Sequence, residues 1–495
     1  MSHRTERDAI VVGAGPNGLA AAVALAREGL DVLVIEGAAK PGGGTRTAEL
    51  TLPGFRHDVC STVHPLAAVS PFLASLPLHK HGLEWIEPPL PCAHPLADRP
   101  AALLTRDPGS TAAGLGNDGP AWTGLVDPLL EHWSDLLPDL LGPLHRPRYP
   151  RAMARFGLLG LRPATVIARR FREDGARALW AGLCAHSFLP LEQSPSAAIG
   201  LVLALTGHAS GWPIARGGSG MITEALAAHL VTLGGEIHTG SRVSRLEELP
   251  TARAVLLNVT PRQLLSIGRE KLPARYVRRL ERYRYGPAAF KLDYALAEPV
   301  PWTDPMCARA STVHLGGTLE DVATAERSCA RGEMPARPFV LFSQPTAFDA
   351  GRAPAGRHVG WAYAHVPHGW PGDATDMIET QIERFAPGFK DLILERIARG
   401  PRALEQDNPN LVGGDINGGA LDLRQLFARP TGLLDPYKTP VEGLFLCSSS
   451  TPPGGGVHGM CGWHAARSVL RKVFGRRATP LTSLRRPWAG ASMST

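Results

Sequence analysis

The chain is short of lysine, of cysteine pairs and, towards its end, of acids. Only seven of its 52 basic residues are lysines: Lys40, Lys80, Lys271, Lys291, Lys390, Lys438 and Lys472. No acid follows Glu442, whereas Arg467, Arg471, Lys472, Arg476, Arg477, Arg485 and Arg486 all lie beyond it. Those seven charges equal the whole excess of +7, so the first 466 residues are formally neutral. The basicity is one helix end plus a tail, not a distributed nucleic-acid surface, and no nucleic-acid partner is expected. The seven cysteines are an odd number and contain no CxxC. That excludes a disulfide framework and a thiolate zinc site and fits a reducing compartment. No HxxxH, HExxH or carboxylate cluster is present, so no metal is expected. No uncharged apolar run reaches the roughly 18 residues a membrane helix needs. The N-terminus is polar to Asp8 and its first apolar stretch breaks at Gly13, which leaves no signal-peptide core. A cytoplasmic protein is expected.

What is present is glycine (54) and proline (45), spread without a period, in a chain of 495 residues. At roughly 150 residues per domain the length suggests about three domains, or two large ones. A hydrophobic fraction of 44% and a charged fraction of 20% are globular.

The run Asp8–Val12 reads as a buried strand, Leu19–Glu28 as a helix closed by Gly29, and Asp31–Ile35 as a second buried strand ending at Glu36. Between the first strand and the helix lies Gly13-Ala14-Gly15-Pro16-Asn17-Gly18. In this βαβ setting the three glycines have distinct work: Gly13 makes the tight turn, Gly15 admits a pyrophosphate to the backbone, and Gly18 lets helix and strand approach. The helix N-terminus offers free N–H groups to phosphate. Pro16 and Asn17 complete the loop. Glu36 would accept ribose hydroxyls and repel a 2′-phosphate, which disfavours NADP. The loop Lys40–Arg46, with Gly43 and Gly44, follows the acid closely. Arg46 could neutralise pyrophosphate or hold a flavin carbonyl.

Further along, helices are expected over 125–141, 151–185 and 195–207, and at Met221–Leu233. Strands are expected at Glu236–His238, Arg242–Leu246, Ala254–Asn258, Ala289–Leu296, Ser311–Leu315, Phe339–Ser343, His358–His365 and Leu444–Cys447. Residues 50–75 read as irregular and 76 onward as proline-rich. Helices are expected at Asp373–Phe385 and Gly459–Phe474. Ala152–Phe171 sets apolar residues between arginines, so peripheral membrane contact is an expectation, with Pro163 interrupting it.

Five stretches carry a family resemblance: 51–66 (LTLPGFRHDVCSTVHPL less its first residue), 290–302 (FKLDYALAEPVPW), 314–323 (HLGGTLEDVA), 408–430 (NPNLVGGDINGGALDLRQLFARP) and 444–466 (LFLCSSSTPPGGGVHGMCGWHAA). With them the chain resembles the phytoene-desaturase-like FAD oxidoreductases, within them the subgroup of pyridine nucleotide-disulfide oxidoreductase domain-containing protein 2, and more distantly the flavin amine oxidases. The resemblance implies an α/β fold. It pairs a glutathione-reductase-like Rossmann FAD-binding domain (1–75, 214–275 and 405–475) with an interleaved α+β substrate-binding domain (76–213 and 276–404), followed by a basic tail (476–495). It implies FAD, held non-covalently, since no Cys or His stands between Asn410 and Thr439. It places Val243, Gly455, Gly456, Val457, Gly459 and Met460 at the cofactor, the last five with backbone N–H groups near the flavin pyrimidine. Gly454–Gly459 also spells GxGxxG, but no acid follows, so a second dinucleotide site is not expected.

Lys291 interrupts an apolar strand, where a cation is costly without a partner. By resemblance it holds a water near flavin N5. His64 and His458 are the preferred acid/base candidates because their segments should line the flavin, and His314, His365, His368 and His464 also lie in matched or neighbouring stretches. The expected reaction is hydride transfer from a small or hydrophobic organic substrate to the flavin, as a dehydrogenase, desaturase or oxidase, with oxygen or a quinone as acceptor. A redox-neutral flavoenzyme and a flavin-bearing interaction protein without turnover are the alternatives.

Overall fold

No charge stands between Asp8 and Arg27, and the apolar strand that opens this run becomes the centre of a sheet. In the computed structural model, which describes residues 6–432 and 434–481, Arg7–Val12 lies between Ala252–Leu257 and Val32–Ile35. Leu444–Leu446 and Glu236–His238 complete five parallel strands. Parallel strands are covered on both faces, which explains the apolar runs of all but the exposed edge strand Glu236–His238. The helix Pro16–Ala26 covers one face and is itself covered by the last helix, Met460–Lys472. The two approach so closely that a Cβ on Gly462 would stand 1.8 Å from the Asn17 carbonyl oxygen.

The second sheet has seven strands in the order Ile393–Arg399, Ala288–Leu296, His358–Val366, Val340–Ser343, Ala310–Leu315, Leu90–Leu96 and Arg99–Leu104. All neighbours are antiparallel except Ala310–Leu315 with Leu90–Leu96. Strand alternation splits Ala288–Leu296 between two environments. Phe290, Leu292, Tyr294 and Leu296 pack into one apolar core with Ile378, Ile382 and Phe389. Ala289, Lys291 and Asp293 face the other way. A helical layer that includes Asp174–Ala185 and Ser196–Ser210 closes that other side. The doubly covered parallel sheet beside a larger mixed sheet is the α/β architecture expected.

Several local expectations fail. Arg242–Leu246 is not a strand. The chain bends back instead: Gly240 N–H donates to Ala38 O (2.8 Å) and Ser241 N–H to Glu36 O (2.9 Å), so its backbone is used on the loop after the second strand. The helix expected over 151–185 is three, Pro150–Gly160, Ala164–Ala168 and Asp174–Ala185, parted at Pro163 and at 169–173. Pro163 lacks the N–H a continuous helix requires. The interfacial segment Ala152–Phe171 is therefore two short helices. The span 125–141 likewise divides into Gly119–Leu130 and Trp133–Leu140. Residues 50–75, read as irregular, include the second strand of a hairpin, Thr47–Glu49 with Arg56–Asp58, and two one-turn helices. The hairpin Leu90–Leu96 with Arg99–Leu104 was hidden by Pro91, Pro95 and Pro100. Ile393–Arg399 was hidden by its exposed edge position. Of the expected tail, residues 482–495 lie outside the described chain. Its beginning packs down: Thr479 N–H donates to Glu28 Oε1 at 2.7 Å. No helix among the described residues is long and apolar enough to cross a membrane.

Candidate cofactor and active site

The carboxyl ends of the parallel strands open onto one cavity of about 470 Å³, which also reaches the Lys291 face of the seven-stranded sheet. Its first wall is the glycine loop. Gly13, Gly15, Pro16 and Asn17 line it, opposed by Gly43, Gly44 and Arg46. The two loops touch: a Cβ on Gly43 would lie 3.0 Å from Gly15 Cα. Gly18 sits behind the wall, where a Cβ would meet the Gly13 carbonyl oxygen at 1.9 Å, so only glycine lets the helix close on the strand. Asn17 Oδ1 is buried without a partner.

Glu36 is the acid at the end of the second strand. Its Oε2 accepts Ala14 N–H (2.6 Å) and its Oε1 accepts Ala38 N–H (2.8 Å). Each oxygen keeps a lone pair for a ribose hydroxyl. This carboxylate, the positive end of the helix that begins at Pro16, with Asn17 and Gly18 N–H in its first turn, and the bare glycine backbone fit a dinucleotide-type cofactor. Arg46 is not free as expected. It pairs with Asp407, and its Nε donates to Gly43 O at 3.1 Å, so it braces the loop.

Val243, Gly456 and Val457 line the cavity as expected. Gly455, Gly459 and Met460 do not. Gly455 abuts Asn417, Gly459 begins the last helix at φ +67°, and Met460 is in the core. His458 is a correction: it turns away from the cavity, fully buried, with Nδ1 accepting Met460 N–H at 3.0 Å. It caps the helix start, and burial lowers its pKa to about 4, so it stays neutral. His314 and His365 are also buried away from the cavity lining.

His64 does line the cavity. Ser61 Oγ donates to Gly44 O (2.9 Å), so it must accept at its contact with His64 Nε2 (3.1 Å). That fixes the proton on Nε2 and leaves Nδ1 as a buried acceptor without a partner. Burial lowers the pKa of His64 to about 4. It is an acceptor for a ligand donor, not a proton source near neutrality.

Lys291 reaches the cavity from the sheet and ion-pairs with Asp293, two residues on and on the same strand face. Asp293 is shared. Arg399 Nη2 approaches its second oxygen at 3.1 Å and His57 Nδ1 its first at 3.8 Å. Lys291 Nζ also stands 5.5 Å from the Trp361 ring centroid. Burial is the largest influence on Lys291 and brings its pKa down from 10.5 to about 8, against the pull of Asp293. The lysine is thus a buried cation that gives up its proton easily.

Beyond Lys291 the wall is apolar and aromatic, with Leu203, Trp212, Leu341, Trp361 and Tyr363, plus His186. His186 Nε2 lies 3.0 Å from His314 Nε2, and burial lowers its pKa to about 3. Asp293, Arg399 and His186 were missed by the sequence reading. Asp293 alone had a signal, since FKLDY places both its charges on one face of a strand. Among the described residues no cluster of His, Cys, Asp or Glu could hold a metal ion.

A family model described as an NAD(P)-binding Rossmann-like domain matches residues 11–76. The mouse protein named pyridine nucleotide-disulfide oxidoreductase domain-containing protein 2 is 27% identical over 95% of this chain and 94% of its own. Among solved structures, an oxidoreductase from Methanosarcina mazei has a TM-score of 0.63 at 16% identity, covering 94% of this chain and 100% of that one. Putrescine oxidase, solved with putrescine bound, has a TM-score of 0.60 at 18% identity, covering 95% and 99%. At these identities the structural likeness speaks for the fold. The chain is thus similar over nearly its whole length to the pyridine nucleotide-disulfide oxidoreductase domain-containing protein 2 of mouse, carries an NAD(P)-binding Rossmann-like domain at residues 11–76, and shares its fold with putrescine oxidase.

Proposed function

We propose that the protein is an FAD-dependent oxidoreductase that takes a hydride from an uncharged, largely apolar organic substrate. The observation that carries this reading is one cavity joining the dinucleotide cradle to an apolar chamber, with Lys291 on the wall between them. Bound FAD would supply the hydride acceptor, flavin N5. The chain's own residues do the rest. Glu36 takes the ribose hydroxyls. The helix at Pro16 faces the diphosphate with its positive end. Gly456 and Val457, the residues of that turn that line the cavity, would border the flavin pyrimidine. His64 Nδ1 accepts a hydrogen bond from a ligand N–H or O–H. Lys291 holds a water or a proton beside the reacting centre, steadied by Asp293 and Arg399. The apolar wall keeps bulk water from that centre.

Substrate charge follows from the lining. Its only acids are Glu36, in the cradle, and Asp407, paired with Arg46. An ammonium substrate would meet Lys291 with no carboxylate to receive it. Putrescine, the ligand of one structural relative, is therefore a poor model for this substrate.

Two measurements test the reading. Heat or acid should release FAD, and no FMN, into the supernatant. Anaerobic mixing of the loaded protein with a panel of apolar alcohols, alkenes, alkylamines and diamines should bleach the flavin absorbance with uncharged members only. Bleaching confined to the diamines, or a protein that takes up no flavin, would overturn the proposal. NADH and NADPH should not reduce the flavin at a useful rate, because no second fingerprint with its acid is present.

A further inference from the structure

Arg429 is 2% exposed. Its Nη2 donates to Gly419 O (3.0 Å) and to Tyr283 Oη (3.2 Å). Its Nε and Nη1 have no hydrogen-bond partner. Among the described residues no carboxylate lies within ion-pair distance of it, unlike Arg352, equally buried but paired with Asp58 at 2.9 Å. The acid whose field reaches it is Asp415, but that side chain is committed to backbone: it accepts Gly286 N–H (2.9 Å) and Asn417 N–H (2.7 Å). A desolvated guanidinium with two idle nitrogens and no counter-ion is costly, so something outside the chain should complete it.

Its position says what. A Cβ on Gly454 would stand 2.4 Å from Arg429 Nη1, so the cation lies directly under the loop that continues to Gly456 and Val457 in the cavity wall. The second loop it supports, Asp415–Ala420, supplies Asn417 and Gly418 to the same wall. The Gly418 carbonyl accepts both the Tyr283 hydroxyl and the Ser450 hydroxyl, each at 2.7 Å, and the Gly419 carbonyl accepts Arg429. Both oxygens are thereby held by buried donors on the protein side. The positive charge thus lies behind two loops that supply Gly456, Val457, Asn417 and Gly418 to the cavity wall.

We propose that Arg429 is a fixed positive charge that raises the reduction potential of the bound flavin. The proposal rests on the FAD reading above, with the pyrimidine edge at Gly456 and Val457. Two electrons and one proton added at N5 leave one negative charge, spread over N1 and the C2 oxygen of the pyrimidine. Oxidised flavin has no such charge there. Arg429 therefore favours the reduced form over the oxidised one, and the low dielectric of its surroundings lets the field act through the loop.

The test compares Arg429→Met and Arg429→Lys with wild type as full-length, FAD-loaded proteins. The flavin midpoint potential is measured by equilibration with a redox dye, and FAD affinity by titration of the apo-protein. Arg429→Met should shift the reduced-to-oxidised equilibrium about tenfold toward the oxidised form, about 30 mV lower for a two-electron couple. Arg429→Lys should keep most of the wild-type potential, because it keeps the charge. If Arg429→Met does not fold, Arg429→Gln carries the same expectation. Affinity for oxidised FAD should change less than threefold. An unchanged potential in a loaded variant overturns the Arg429 proposal alone. A large loss of oxidised FAD affinity at constant potential also overturns it, since the cation would then serve the diphosphate. A wild-type chain that takes up no FAD overturns this proposal together with the reading beneath it.

Discussion

Lys291 keeps an ammonium where water scarcely reaches, at 3% exposure, and its neighbours decide what that costs. Asp293 favours the charge, while burial and Arg399 oppose it. Replacing it by Met preserves the stem and removes the donors. Lys291→Met should retain FAD but slow the reaction of the reduced flavin with oxygen, or its reduction by substrate, by roughly tenfold to a thousandfold, about 1.4–4 kcal/mol of barrier. Stopped-flow absorbance after anaerobic photoreduction reads the first directly, and wild-type rates in both half-reactions would make the lysine structural. A pH signature accompanies it. The folded-state pKa of about 8 lies below the ordinary 10.5. Between those values the unfolded chain binds more protons than the folded one, so this group makes stability rise as pH climbs from about 8 to 10.5. Urea titrations of the apo-protein across that range should show the rise in wild type and lose it in Lys291→Met. At this scale the sequence exposes residues whose task is local: Gly13, Gly15, Gly18 and Glu36 act within one βαβ unit. His186 and Arg399 were not legible, because their roles arise only when distant segments meet.

Helices and strands were easiest to read where burial is two-sided. Four of the five parallel strands announce themselves as apolar runs; the fifth, Glu236–His238, is a short exposed edge, and the strand expected beside it at Arg242–Leu246 does not form. Edge strands are another matter. Ile393–Arg399 presents Glu395, Arg396 and Arg399 among its seven residues, so its alternation looks like a solvated loop. The packing of the first helix on the last was equally silent, since Gly462 looks like one more helix-weakening glycine. The structure gives it a purpose: it is where the two backbones nearly touch. Gly462→Ala should force them apart and cost about 1–3 kcal/mol. The measurable result is a lower melting temperature and weaker flavin retention, because the first helix also carries the Pro16 end of the cradle. A variant melting with wild type would show that the helices have slack.

Across the whole molecule, one buried ion pair ties the small hairpin to the loop that leads into the seven-stranded sheet. Asp58, on the small hairpin, meets Arg352, in the loop before His358–Val366, at 2.9 Å, and both are almost fully buried. Asp58 also accepts Thr47 Oγ1 (2.9 Å) from its own hairpin, Thr62 Oγ1 (2.5 Å) from four residues on, and Ser219 N–H (2.7 Å) from a distant segment. Burial acts to raise its pKa, but Arg352 and these donors outweigh it and hold the carboxyl below its usual value. A depressed carboxyl contributes stability above its unfolded pKa and loses it as pH falls through the folded one. Arg352→Met should cost about 3–5 kcal/mol near neutral pH by stranding the carboxylate. The added Asp58→Asn should recover part of that, and the double variant should flatten the acid limb below about pH 4. Denaturant unfolding at several pH values checks all three expectations. The interleaving of the two sheets along the chain was legible from the order of its motifs. The chamber between them was not, since its walls come from four strands and a helical layer that no single motif marks.

The pairing of the first helix with the last has a consequence for how the protein is made. Pro16–Ala26 leaves the ribosome long before Met460–Lys472, the helix that covers one of its faces. The central parallel sheet likewise waits for Leu444–Leu446. Through most of synthesis an alanine-rich, water-averse surface therefore stands open, in need of a chaperone or a slow ribosome. A nascent chain stalled near residue 440 should be captured by holdase chaperones and cut readily by protease. One released after residue 475 should escape both.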